Sequence, residues 1–180
     1  MTTPVCVDFE TDLGIFTQDA GDDFDWTAMS GSTPSTATGP SGDNTSGTGT
    51  YYYIEANNNT YSSASMTSAC LDLTGLSDPA LSFFYHMSGA GIGTLEVFVI
   101  DDMGVSTSVW SSFGDQGNDW NFAQVSLAAY AGVDVSVQIV GSTGISTAAL
   151  AIGGNLDPGN VNNTEIWNGS SWTEVNNLNT

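Results

Sequence analysis

Apolar residues recur at every second position in several short runs of this chain, the spacing that places alternate side chains on opposite faces of a strand. In residues 94–101, Leu95, Val97 and Val99 fall on one face. In residues 133–141, Val133, Val135, Val137 and Ile139 share a face while Asp134, Ser136 and Gln138 point the other way. Residues 81–88 set Leu81, Phe83, Tyr85 and Met87 against the more polar Ser82, His86 and Ser88. Further strands are predicted at 51–56, 105–110, 122–127 and 147–152. Gly, Ser, Thr and Asn punctuate the whole length, and helical periodicity is nearly absent. Many short strands with frequent turns predict an all-β fold, a β-sandwich.

Two stretches interrupt the pattern. Residues 30–50 are rich in Gly, Ser, Thr and Pro without periodicity, a composition also found in linkers. Their place between the acidic, aromatic residues 22–26 and the strand at 51–56 predicts a long loop inside one domain. After Gly153 and Gly154 the chain becomes rich in Asn. The expected organisation is a sandwich over 1–153 and a short β-hairpin appendage over 154–180.

Composition narrows the function. The chain has 180 residues with 20 Asp or Glu, one His and no Lys or Arg, for a formal net charge of −20. Nucleic-acid binding draws its affinity from Lys and Arg replacing counterions, so that class is excluded. A polybasic membrane patch, an arginine finger and a P-loop lysine are excluded with it. At 40% hydrophobic and 11% aromatic, the chain is too apolar for a disordered acidic tail. No apolar run approaches the roughly 18 residues of a membrane helix. The first residues show neither a basic region nor an apolar core, so no signal peptide is expected.

Cys6 and Cys70 are too far apart in sequence for a zinc-ligand pair. Two readings stand: a disulfide, which closes a long loop and contributes about 4 kcal/mol, or two separate buried thiols.

The ordered motifs resemble a known family. Cys6 to Glu10, the Asp-Asp-Phe-Asp-Trp of residues 22–26, and Thr38, Gly39, Pro40 and Asp43 resemble the opening of a MAM domain. Residues 51–56, then 81–87 with Gly89, then Gly93 and Leu95, follow in the family's order, and Trp110 with residues 114–120 completes it. The resemblance covers about residues 5–152 and implies an extracellular jelly-roll sandwich used for adhesion and protein contact, without catalysis. Residues 70–75 and 127–132 look more like bacterial members. Three departures stand out: two cysteines where animal members have four, Gly14 near the place of the second, and a final strand at 146–154 without the family's carboxylates. Residues 148–154 with Asn163 to Val175 look like one kelch-type repeat, as in fibre proteins of marine phages. One such repeat cannot bury its own faces and needs neighbours.

Glu10, Asp22, Asp23, Asp25 and Asp43 are the candidate metal site, since hard oxygen ligands suit Ca²⁺. Some MAM domains bind a cation near the corresponding motifs, so the resemblance points first to Glu10 and Asp23. The alternative is acids that cap turns or face solvent. His86 invites a triad, yet it sits in a predicted strand and no Gly-x-Ser-x-Gly elbow exists, so a structural histidine is expected. Trp167, Trp172, Tyr51 and Tyr53 are candidate binding or interface aromatics, as a glycan platform or a subunit contact, although in a sandwich most such aromatics are expected in the core. Asn44, Asn58, Asn162 and Asn168 fit the glycosylation sequon.

The expected function is a non-enzymatic, extracellular structural or adhesive module. The chain would be a subunit of a fibre, pilus-like filament or virion appendage, whose partners are copies of itself or other fibre subunits. A monomeric adhesin for a glycan or protein is the second expectation, and a glycan hydrolase or its accessory domain the third.

Overall fold

The computed structural model describes residues 5–57 and 59–144 in full, and residues 148–156, 159–168 and 172–177 as backbone strands. The described chain is β throughout, with one 3-10 turn at Ala128–Tyr130. In order the strands are β1 (Phe16–Gln18), β2 (Thr27–Ser30), β3 (Thr50–Tyr53), β4 (Ser63–Ser68), β5 (Leu71–Asp72), β6 (Ala80–Tyr85) and β7 (Ile92–Asp101). They continue as β8 (Ser106–Phe113), β9 (Asn121–Ser126), β10 (Asp134–Thr143), β11 (Ala148–Leu156), β12 (Gly159–Asn168) and β13 (Trp172–Asn177).

The main sheet runs β1-β4-β10-β7-β8, with β5 also on β10, and every pairing in it is antiparallel. β6–β9 and β2–β3 form two-stranded pairs that cover its inner face. Val125 and Leu127 pack with Val99 and Val135 of the sheet, and Leu81, Phe83 and Trp110 close around them. Phe83 and Tyr85 each meet the Trp110 ring edge to face at 5.0 Å. Further along, Trp26 and Ile54 lie over Gly141 of β10. Val97, Val99, Val135 and Val137 are fully buried. Each contributes about 1.5–3 kcal/mol by leaving water. This is the β-sandwich that the alternating runs predict, with the antiparallel sheets of the jelly roll that the MAM resemblance implies.

β4, the second strand of the main sheet, carries no apolar run. Its sequence is Ser-Ala-Ser-Met-Thr-Ser, and only Ala64, Met66 and Ser68 turn inward. The strand is held by polarity instead: the buried Ser68 hydroxyl accepts the Val137 N–H at 2.9 Å and donates to the Ala69 carbonyl. The stretch 31–49 is a loop joining β2 to β3 inside the domain. β11 pairs with β12 and β12 with β13, in an antiparallel sheet of three strands rather than two. β11 also runs through residues 153 and 154, where the sequence pattern divides.

Cys6 and Cys70 are both free and both exposed. Neither expectation holds: they form no disulfide, and they are not buried thiols. Cys70 occupies the exposed corner between β4 and β5, and Cys6 the segment ahead of β1. Gly14 leaves room there for the Val7 side chain to pack against the backbone.

Candidate functional site

The loop joining β2 to β3 is shaped by its own side chains. Asp43, 8% exposed, accepts the Thr45 and Ser46 N–H groups on Oδ2, both at 2.8 Å. Its Oδ1 takes the Ser46 hydroxyl at 2.9 Å and the Gly49 N–H at 2.6 Å. Those four donors fill a carboxylate's capacity. They hold its pKa well below the usual range, the Ser46 N–H most strongly. Glu10 accepts the next N–H, that of Thr50, at 3.1 Å.

The first half of the loop is tied likewise. The Thr33 hydroxyl donates to the Thr38 carbonyl, Ser35 donates to Glu55, and the Gly39 N–H reaches the Ser88 carbonyl. Trp120, just before β9, donates its indole N–H to the Gly42 carbonyl at 3.1 Å. The loop thus stands over the ends of β6 and β9, and a trough remains between them.

Two shallow clefts make up the trough, about 260 and 480 Å³. They share Pro40, Ser41 and Asn118; one reaches His86, Asp119 and Trp120, and the other is lined by Thr33, Ser35, Thr36, Thr38 and Ser88. Hydroxyls dominate the lining of the second cleft, whereas the first holds only that of Ser41. His86 lies one residue past the end of β6, not inside a strand, and stands edge to face on Trp120 at 5.5 Å. Its Nδ1 is buried without a hydrogen-bond partner. Burial pushes its pKa below the usual imidazole value, while Asn118, Asp119 and Asp115 pull it back up. No Ser, Thr or Cys among the described residues is hydrogen-bonded to this imidazole, so no nucleophile is paired with a base there.

The five candidate metal ligands separate. Glu10 and Asp43 sit on adjacent N–H groups at Gly49 and Thr50. Asp22 and Asp23 lie along β4, where Asp22 accepts the Ser65 N–H at 2.6 Å and Asp23 the Ser63 N–H at 2.8 Å. Asp25 is exposed. Among the described residues no three His, Cys, Asp or Glu side chains gather as ligands. The five therefore do not fit one calcium cage, and Asp43 has no lone pair left to offer.

The candidate aromatics also separate. Tyr51 is 5% exposed, its hydroxyl donates to the Gly31 carbonyl at 2.7 Å, and Trp120 packs on it edge to face. It is a core residue, because β3 turns it inward beneath the loop, and burial pushes its phenol up. Tyr53 is half-buried beside it. The side chains of Trp167, Trp172, Asn162 and Asn168, and all of Asn58, lie outside the described residues; Asn44 is exposed.

The exposed aromatics are others. Phe84 of β6 and Phe122 of β9 face each other across the pair, 5.2 Å apart, on the outer surface. Their signal in the sequence was the doubled Phe83-Phe84, which breaks the alternation of 81–88.

The family of MAM domains (meprin/A5/mu) matches residues 6–152, the sandwich and the start of β11. The chain belongs to the MAM family. Within it, 114 residues are 38% identical to human MAM domain-containing protein 2, over 62% of this chain and 16% of that protein. A 103-residue stretch is 40% identical to thyroid hormone-induced protein B of Xenopus laevis, over 56% of this chain and 15% of that one. MAM domain-containing glycosylphosphatidylinositol anchor protein 2 of mouse is 36% identical over 129 residues, or 63% of this chain and 14% of the relative. The chain thus spans about one-seventh of the length of these curated relatives, and they are animal proteins. For a MAM sandwich, the trough sits at the strand ends under the β2–β3 loop.

Proposed function

We propose that this MAM chain is a non-enzymatic extracellular module, a subunit of a surface fibre, pilus-like filament or virion appendage that works through protein–protein contact and strand pairing. The observation that carries the reading is the family's sandwich with its one imidazole packed against Trp120 and, among the described residues, no nucleophile bonded to it. Partners are then copies of the chain or other fibre subunits, met at loops and sheet edges. No described helix is long and apolar enough to cross a membrane. The surface location is in keeping with a relative whose name carries a glycosylphosphatidylinositol anchor. In an oxidising secretory route, the exposed Asn44 with Ser46 two residues on is a glycosylation acceptor.

The kelch-like end enters the same reading. A lone three-stranded meander cannot bury both of its faces, so β11–β13 is the part that neighbouring units complete. Calcium acts here by screening the charge of −20 rather than in a cage.

Microspheres coated with the chain test the reading. They cluster, and cluster more as salt rises. Microspheres that stay dispersed at every ionic strength overturn it. A monomeric glycan adhesin is favoured by one observation, the hydroxyl-lined cleft at Thr33, Ser35, Thr36, Thr38 and Ser88 that adjoins the one at Trp120. Its mark is a saccharide that shifts the Ser88 and Asn118 amide resonances.

A further inference from the structure

The two edges of the main sheet are built differently. Beyond the three residues of β1, the β4 edge is covered by segment 19–23. The N–H groups of Asp19 and Asp23 donate to the carbonyls of Ser65 and Ser63, while Asp22 and Asp23 take the N–H groups of the same two serines. That edge is closed and acidic. At the other end, β8 is paired on one side only among the described residues. It carries no charged residue itself, although Asp101 and Asp102 precede Met103 and Asp115 follows Gly114. Its two ends hold large apolar groups with nothing to cover them: Phe113 is 73% exposed at one, Met103 79% and Val105 51% at the other.

We propose that β8 is a self-association edge whose occupant is β8 of a second copy, antiparallel across a two-fold axis. The inference rests on the reading of the chain as a module that assembles through strand pairing. Two-fold pairing is self-complementary. With Ser106 opposite Phe113 of the second copy, Thr107 faces Ser112 and Ser108 faces Ser111. Each exposed Phe113 then falls beside the other copy's turn at Met103 and Val105, so one register covers both apolar ends twice over. Other registers leave at least one end in water.

Two bodies of −20 repel over a Debye length of about 8 Å at physiological salt, and Asp101, Asp102 and Asp115 flank the ends of β8, so the pair forms where salt screens that repulsion. The register of β8 on β7 skips Val109, passing from Val97 with Trp110 to Phe98 with Ser108. Such a bulge bends an edge strand and limits each ladder to a few residues. It favours a closed pair over open-ended stacking.

The test is the mass of the purified chain in solution, by light scattering across a concentration series at about 0.05 M and about 1 M NaCl. A dimer is expected, and it tightens as salt rises, the reverse of a complex held by ion pairs. Phe113→Ser and Met103→Ser each weaken it about tenfold or more with unchanged melting. Tyr61→Ser removes an equally exposed side chain beside β4, on the far side of the sheet, and has no effect. In a Cys6→Ser, Cys70→Ser background, Thr107→Cys with Ser112→Cys gives an oxidised dimer, and Tyr61→Cys does not. A monomer at every concentration and salt overturns the proposal. So does a dimer that the β8 variants leave intact. If the β8 variants keep the dimer mass while wild-type microspheres cluster, this edge is wrong and the assembling module stands; if wild-type microspheres never cluster, the module itself fails.

Discussion

Gly141 and Gly93 lie in the main sheet where something approaches the backbone too closely for a side chain, and the two approaches differ in kind. A Cβ on Gly141 would meet Trp26 Cζ2 and Ile54 Cδ1 at 2.8 Å. Both are side-chain atoms, and Ile54 Cδ1 is the tip of a flexible group. The indole yields less, because Gln18 holds the Trp26 backbone at both ends, donating to its carbonyl at 2.7 Å and accepting its N–H at 3.1 Å. Overpacking of this sort costs about 1–3 kcal/mol. Loss of glycine's unfolded-state freedom returns about 0.4–1 kcal/mol. Gly141→Ala is therefore expected to destabilise by about 1–2 kcal/mol, a fall of about 3–6 °C in melting temperature for a domain of this size. A Cβ on Gly93 meets the Ser142 carbonyl oxygen at 2.5 Å and its Oγ at 2.8 Å. That oxygen belongs to the paired β10 backbone, and the same Oγ accepts the Thr94 N–H at 2.9 Å. Neither neighbour moves without breaking the ladder, so Gly93→Ala costs more than about 3 kcal/mol. Urea unfolding followed by tryptophan fluorescence measures both variants. Trp26 is one of the five tryptophans that contribute to the emission. A Gly141→Ala protein as stable as wild type, or a Gly93→Ala protein more stable than Gly141→Ala, would refute the packing argument.

Two further outcomes follow from the trough and its loop. The folded-state pKa of His86 lies below the unfolded value near 6.5, so below that pH the unfolded chain binds the proton more tightly. Stability attributable to this residue is whole at neutral pH and declines as pH falls through the unfolded value. Melting curves taken from about pH 7.5 to 5 for wild type and His86→Gln should converge toward acid, and parallel curves would contradict the burial of the imidazole. Calcium and magnesium, compared at equal ionic strength, should raise the melting temperature equally, since Asp43 is saturated by donors and no three acids converge. A calcium-specific rise would show a cage that the geometry does not.

The parts of the fold that were legible are those where burial and side-chain period coincide. Val97, Val99, Val135 and Val137 alternate in sequence and are buried in space. β4 escaped because its inner face is made of Ala64, Met66 and Ser68, and β1 and β2 because they are too short to show a period. Val133 continues the alternation in sequence but precedes β10 and is exposed, because period alone does not mark where pairing starts. The site was legible only in pieces. Motif order placed Asp43, His86 and Trp120, but not that Trp120 joins the other two through the Gly42 carbonyl and the imidazole ring. Tyr51 is a core residue and not a surface aromatic, an alternative the sequence leaves open because a run of three tyrosines in a short strand does not say which one faces in. The cysteines were misread for a different reason: a disulfide depends on distance in space, and sequence separation gives only its entropy.

A chain without Lys or Arg has to hold its loops without ion pairs, and the structure shows what takes their place. Asp8, Asp12, Asp72, Asp101 and Asp115 each accept an N–H two residues ahead, and Asp43 accepts those two, three and six residues ahead. Asp22, Asp23 and Glu10 do the same over some forty residues of sequence. Hydrogen bonds to an ionised acceptor are stronger than neutral ones, so each turn gains rigidity while its carboxylate stays charged. A lysine partner would neutralise the acid; an N–H donor leaves the net charge where it was. The surplus of −20 is then the by-product of a loop-fastening scheme as much as a signal to partners. It also decides where partners can sit. Several of the loops carry one of these acids, whereas β8 carries none and Phe84 and Phe122 face outward from β6–β9 without an acid between them. Phe84, Phe113 and Phe122 are thus exposed on strands that carry no acid beside them, while Met103, Val105 and Val133 are exposed in the turns that lead into strands.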